Sequence, residues 1–387
     1  MVRRSADEAE RVPGLVCGAL LISALLFFWC ACASYGQGDE GGYNRALSHS
    51  FRRLGDLQLS RGEIDKARES YRKALEADPE ESENYNNMGV IYKFEGKNEE
   101  ALEAFRKAVE LDPENVSARN NLGSVLFIMK RYKEAGSQFL EAVRLDPDNA
   151  LVHANLGSVL KQVGSIREAH EQYEIALKLN RDIPVAHYHL GELLERAGEM
   201  EKALHHYERF AELKPGEPMA HYRLGSLCSR LGEHERAVGE LQKAKELLPK
   251  DHKMAKALAR AMMDMGRHRE AAEHYAVLVE DDPKDPTLHS DLASALALAG
   301  EYDQAIAEYR KALEIDPDNS VAKRNMKVVE NTKVVVARNE QWRRGRWQRR
   351  AMYGLLLVAL ALMAYVIVRR WTDFYRKGKN ARRKSKI

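Results

Sequence analysis

Thirteen histidines, four cysteines and a set of recurring asparagines are the side chains of this 387-residue chain that could do chemistry. His153, His187 and His221 stand at one fixed interval, with His189 two residues beyond the second, so repeating hairpins would align them in a stripe. Imidazoles in a row suit a metal ion or a general base. No carboxylate or cysteine recurs beside them to complete a ligand set, and His205 and His206 are helix neighbours that cannot face the same way. The HExxH, phosphate-loop and nucleophile-elbow patterns do not occur. Cys228 is the one cysteine in the body of the chain and has no partner for an internal disulfide. The pattern points away from an enzyme; neither a cofactor nor a metal is expected. Asn115-Val116-Ser117 would accept a glycan only in a host that glycosylates exported chains.

The interval that spaces the histidines governs the whole stretch from Ser48 to Asn319, which divides into eight 34-residue units without a gap. Position 8 is Gly55, Gly89, Gly123, Gly157, Gly191 and Gly225, then Ala259 and Ala293; position 20 is always alanine, from Ala67 to Ala305. Position 24 is Tyr71, Phe105, Phe139, Tyr173, Tyr207, Leu241, Tyr275 and Tyr309. Small residues at 8 and 20 let two short antiparallel helices approach closely, and the large side chain at 24 fills the gap beside them. Glycine at position 15 separates the two helices in seven units, with Lys130 in its place in the third. Proline at position 32 stops the second helix in seven units, with Arg181 in its place in the fourth. Cys228 falls at position 11, a core slot, and reads as a small buried hydrophobe. Phe210 and Leu278 replace alanine at position 27 and call for local repacking. The seventh unit, with Ala259 and a methionine-rich first helix from Met254 to Met265, is expected to be the least regular.

In period, small-residue positions and punctuation the chain resembles the tetratricopeptide repeat family. The resemblance implies an all-α fold, a superhelical α–α solenoid of eight repeats, whose first helices line a groove that binds extended peptide or protein segments. Positions 2, 5, 6, 9, 12 and 13 of each unit would face it. There the chain carries an amide stripe, Asn87, Asn121 and Asn155 at position 6 with Asn86 and Asn120 beside two of them. An asparagine donates and accepts at once, which matches a peptide backbone, although the same residue also serves hairpin packing in ordinary repeats. The stripe resembles the asparagine ladder in the repeat domain of the O-linked N-acetylglucosamine transferase; no transferase domain accompanies it here. Lys93 and Lys161 at position 12 add positive charge, and Phe94 and Phe127 add apolar surface. An acidic extended segment crossing units two to four would suit them. Later units offer Tyr188, Tyr222, Arg223, Glu192, Glu195 and Arg260 instead.

Apolar segments bracket the array. Residues 351–368 are uncharged, span about 27 Å as a helix and are flanked by Trp347, Trp371, Tyr375 and paired arginines, as a transmembrane helix would be. Residues 1–35 show a basic start, an apolar run from Leu15 to Trp29 and the small residues Ala31 and Ala33, which fits a cleaved signal peptide or an uncleaved signal anchor. Cys17, Cys30 and Cys32 lack the leucine three residues earlier that marks a lipidated cysteine. Residues 36–47 read as a linker, and 320–340 as a capping helix, with Ala322, Met326 and Val329 on its inner face, followed by a linker.

Charge is divided in the same way. Residues 320–387 hold nineteen basic and three acidic side chains, a net +16; the whole-chain +3 therefore leaves −13 on residues 1–319. The basic tail, 369–387, has nine lysines and arginines against five between Gln341 and Arg350, which places the tail in the cytoplasm and the repeats outside it, in a periplasm, lumen or exterior. The tail and span contact membrane lipid; no nucleic-acid motif accompanies the charge. The resulting reading is a membrane-anchored scaffold for a protein or peptide partner. The alternatives are a tail-anchored adaptor facing the cytoplasm and a non-catalytic subunit of a membrane complex.

Overall fold

The computed structural model describes residues 40–384, so the proposed signal segment lies outside the described residues. The described chain is all helix and connecting turn, with no strand. It forms two compact units that divide between Lys214 and Pro215. The first contains α1 (Glu40–Ser60), α2 (Ile64–Ala77), α3 (Ser82–Phe94), α4 (Asn98–Leu111), α5 (Val116–Ile128), α6 (Tyr132–Leu145), α7 (Ala150–Gln162), α8 (Ile166–Leu179), α9 (Pro184–Ala197) and α10 (Met200–Leu213). The second contains α11 (Pro218–Leu231), α12 (His234–Leu247), α13 (His252–Asp264), α14 (His268–Asp281), α15 (Pro286–Leu298), α16 (Tyr302–Ile315) and α17 (Ser320–Lys384). Each repeat contributes one odd-numbered and one even-numbered helix. Residues 40–47, expected as a linker, belong to the first helix.

Packing within a pair follows the small-to-large logic. The eight position-20 alanines are fully buried, and the position-24 side chains are at most 4% exposed. A Cβ added at Gly89 would lie 2.7 Å from the Phe105 ring, and one at Gly55 would lie 2.5 Å from Tyr71, so the rings occupy the space that a larger residue at position 8 would need. Burying one such ring contributes about 1.5–3 kcal/mol. The tyrosines also use their hydroxyls: Tyr71 donates to Asp56 at 2.7 Å and Tyr207 to Glu195 at 2.8 Å.

Turn chemistry sets the helix ends. Asn115, Asn149, Asp251 and Asp285 accept backbone N–H bonds at helix starts. Asp78, Asp112, Asp282 and Asp316, each just before the proline, accept the N–H two residues on and close the corner between repeats. The glycines between paired helices have φ from 74° to 87°. Lys130 adopts the same left-handed conformation at φ 60°.

The seventh repeat, α13 and α14, has helices of 13 and 14 residues like its neighbours and is regular in this respect. Phe210 and Leu278 are both buried, Phe210 against the Tyr188 ring at 5.2 Å. Cys228 is fully buried, and burial pushes its thiol up to about 12. The cap forms as expected: Ala322 and Val329 are buried and Met326 is half-buried, while Lys333 pairs with Asp303 of the last repeat. The helix then continues without a break through the apolar segment. From Ala337 onward every described side chain is exposed, Leu355 and Leu357 among them. Among the described residues this is the one helix long and apolar enough to cross a membrane.

Lys130 holds a conformation that costs an L side chain about 1–2 kcal/mol. Lys130→Gly should therefore raise stability by about 0.5–1 kcal/mol, after the extra chain entropy of glycine, read as a shift of the urea midpoint.

Candidate peptide-binding groove

The sequence places the amide stripe on α3, α5 and α7, the first helices of successive repeats. The structure joins these residues in a stagger. Asn121 Nδ2 donates to Asn86 Oδ1 at 2.8 Å, and Asn155 Nδ2 donates to Asn120 Oδ1 at 2.8 Å. Position 6 of each repeat thus bonds to position 5 of the one before. Asn87 Nδ2 ends the series on Asp56 Oδ1 at 3.2 Å, and Asn86 Nδ2 bonds to Asn87 Oδ1 at 3.3 Å. All five amides are half-buried. Each bond uses one amide hydrogen. Asn121 Oδ1, Asn155 Oδ1 and Asn120 Nδ2 have no hydrogen-bond partner among the described residues.

The two lysines differ. Lys93 is half-buried, has no ion-pair partner among the described residues, and burial holds its ammonium below the usual lysine range. Lys161 contacts the Glu192 carboxylate, with side-chain exposures of 14% and 11%, and lies 2.8 Å from His189 Nδ1. Its charge is therefore answered inside the protein, and Glu192 is the partner that the sequence reading did not connect to it. Phe94 is 71% exposed, whereas Phe127 packs edge-on against Tyr132 at 5.4 Å. In the second unit the Lys253 ammonium sits over the Tyr222 ring at 4.7 Å, and Lys256 pairs with Asp291 at 2.9 Å.

The histidine stripe acts as structure. His153, His187, His221 and His289 are buried, and each Nε2 donates to a carbonyl six residues earlier, on Pro147, Arg181, Pro215 and Pro283, at 2.8–3.1 Å. Each Nδ1 meets the second helix of its own repeat at Gln172, His206, Glu240 or Glu308. The imidazole pins the inter-repeat corner to that helix. Among the described residues no group of three or more histidine, cysteine or acidic side chains is placed to hold a metal.

One of these histidines borders a concavity. Leu177, Arg181, His187, His205, His206 and Arg209 line a cleft of about 450 Å³ in the first unit. Burial, and then the charges of His187, His205 and His170, bring His206 down to about 4. Burial also lowers His187, as does the Arg209 charge, against a raising bond to the Arg181 carbonyl.

A tetratricopeptide repeat model matches residues 86–150, 155–218, 201–252 and 256–320, and a second model of that description matches 43–114. No curated protein matches the chain. Among solved structures, pilF of Pseudomonas aeruginosa is 29% identical over 56% of this chain and 99% of its own, with a TM-score of 0.52. YrrB, a repeat protein described as having an unusual peptide-binding site, is 28% identical over 48% of this chain and 96% of its own, with a TM-score of 0.38. PilW, a type IV pilus biogenesis factor, is 20% identical over 55% and 98%, with a TM-score of 0.49.

The depressed His187–His206 pair has a definite pH consequence. Its folded values lie below the unfolded value of about 6.5, so the unfolded chain binds more protons between pH 6.5 and 4. The stabilisation is full above pH 6.5 and is lost as pH falls towards 4. His206→Gln would reproduce the His153–Gln172 pair of the preceding repeat. It should remove about 1–2 kcal/mol of that acid-linked loss, measured as the difference in urea-unfolding free energy between pH 7 and pH 4.5.

Proposed function

The chain belongs to the tetratricopeptide repeat family, and on that premise we propose that it is a membrane-held scaffold whose early repeats grip an extended peptide through their asparagines. The family fold is a non-catalytic protein-interaction scaffold, and its chemistry is that of surfaces. The observation that carries the proposal is the staggered amide series on α3, α5 and α7. Its internal bonds fix the orientation of each amide, and they leave carbonyl oxygens on Asn121 and Asn155 and an N–H on Asn120 for a ligand. Alternating donors and acceptors at helix-to-helix spacing complement the N–H and C=O groups of an extended backbone. Lys93, half-buried and without an ion-pair partner among the described residues, supplies the place for an acidic side chain or terminus at the second repeat. Lys161, neutralised by Glu192, does not extend that preference to the fourth.

The anchor is the apolar part of α17. Leu355, Leu357 and Leu362 are 61–72% exposed, an apolar surface that water disfavours and a bilayer accepts. The greater basic count after the segment than before it favours a cytoplasmic tail and repeats on the opposite side.

Replacing Asn87, Asn121 and Asn155 together with alanine should weaken binding of an extended peptide ligand by at least about tenfold, because each lost ligand hydrogen bond is worth about 1 kcal/mol or more. The lost internal bonds should lower stability as well, but by less than the loss in binding free energy. A collapse of stability with unchanged affinity of the folded fraction would make the series structural and end the proposal. For topology, protease added outside sealed vesicles of known orientation should digest the repeats while a tag at Ile387 survives. Protection of the repeats would instead identify an adaptor facing the cytoplasm.

A further inference from the structure

We propose that the cleft between α8, α9 and α10 is a second binding site, separate from the asparagine series, for an oxyanion such as a phosphate or carboxylate group. Arg181, His205 and His206 would hold it. Arg181 stands at the repeat corner where seven units place proline, so this corner alone carries a guanidinium. Its backbone is fixed, since its carbonyl accepts His187 Nε2–H at 2.8 Å, yet its side chain has no hydrogen-bond or ion-pair partner among the described residues. The neighbouring Arg209 is already answered by Asp182 at 2.8 Å and by Glu212. Arg181 is therefore the unanswered charge of the cleft.

The histidines supply donors. His187 has committed its one hydrogen to the Arg181 carbonyl, so its Nδ1 accepts from His206 Nδ1–H at 3.0 Å. His206 Nε2 is then bare in the neutral ring and becomes a donor when the ring takes up a proton. Contrary to the expectation that helix neighbours face apart, His205 and His206 both border this cleft; the exposed His205 ring contacts His206 edge-on at 5.7 Å and has no hydrogen-bond partner among the described residues. Arg209 and His205 add positive potential at His187, and His205 and His170 at His206, while Asp182 is the acid that acts on His187. Two guanidiniums beside clustered imidazoles repel a metal cation and attract an anion. The cleft is larger than one oxyanion, so the group can arrive attached to a carrier.

Binding should draw a proton onto His206, and affinity should rise as pH falls. The test is calorimetric titration of the full chain in detergent micelles with two probes: sulfate, whose charge is constant over the range, and glutarate. At least one should saturate. Sulfate binding should be about fivefold tighter at pH 5.5 than at pH 7.5. Arg181→Pro, which restores the residue of the other repeats, and Arg181→Gln should each weaken binding at least about tenfold. His206→Gln should abolish the pH dependence of sulfate binding. Saturation by glutarate alone would assign the site to carboxylates, and by sulfate to tetrahedral oxyanions. Absence of saturation by both, or affinity unchanged in both Arg181 variants, would overturn the proposal, as would sulfate binding that is constant with pH.

Discussion

Everything in the array depends on one contact, the position-24 side chain lying in the gap that position 8 leaves open. A Cβ at the glycines of the first six repeats would come within 2.5–2.8 Å of that side chain. The distance between paired helices is therefore set by ring thickness in the first five repeats and by Leu241 in the sixth. Fixing each pair fixes the register between first helices of successive repeats. Only with that register can Asn121 reach Asn86, and Asn155 reach Asn120, both 35 residues apart in sequence. The candidate groove is in this sense a by-product of core packing, since its polar surface is aligned by apolar contacts behind it.

The elements were largely legible in the sequence because a period repeated eight times averages out local ambiguity. Ala67 and its seven counterparts, the position-24 rings and the position-15 glycines each have one steric role, and the structure assigns them that role. What the sequence hid lies in pairings between different positions of neighbouring repeats. The stripe at position 6 was visible, but not that its bonds join position 6 of one repeat to position 5 of the one before. Reading Lys161 alone suggested free positive charge, whereas Glu192, three positions earlier in the following repeat, neutralises it. The histidine column was visible, but its use as a corner staple requires the position-23 partner and the carbonyl six residues back, and His289 belongs to it as well. A reading that tested position pairs across adjacent units, beyond single columns, would have found these signals. The first helix shows a different limit: Glu40 to Leu47 precede the periodic region, so no repeat pattern signalled that they are helical.

Most charges on the repeats are spent locally. Pairs such as Arg131–Glu134 and Arg144–Glu141 are exposed, three residues apart on one helix, and each contributes little. Against that background two cations stand apart for opposite reasons. Lys93 lies beside the amide series and loses solvation without gaining a carboxylate, while Arg181 occupies a corner that geometry reserves for proline. At Lys93, which is half-buried, an incoming anion would restore what burial removed; Arg181 is exposed and offers its guanidinium from the rim of the cleft. The two sites thus differ in how they would favour an anion: one lies along the asparagine series and is half-buried, the other borders the histidine staples and is exposed.

The long C-terminal helix joins the last repeat to the proposed anchor. Its first turns cover the last repeat through Ala322 and Val329, and the same helix becomes the apolar segment without a break. From Lys333 to Ala351 it rises about 27 Å at about 1.5 Å per residue. A coil of equal length would let the last repeat wander over a wide volume relative to the apolar segment. A helix removes much of that freedom. Polar caps serve ordinary solenoids by shielding the terminal apolar face; here the cap is also continuous with the apolar segment. The exposed arginines between Arg343 and Arg350 then lie within about 12 Å of the first residue of the span, along a stem whose direction is already set by the repeat it covers.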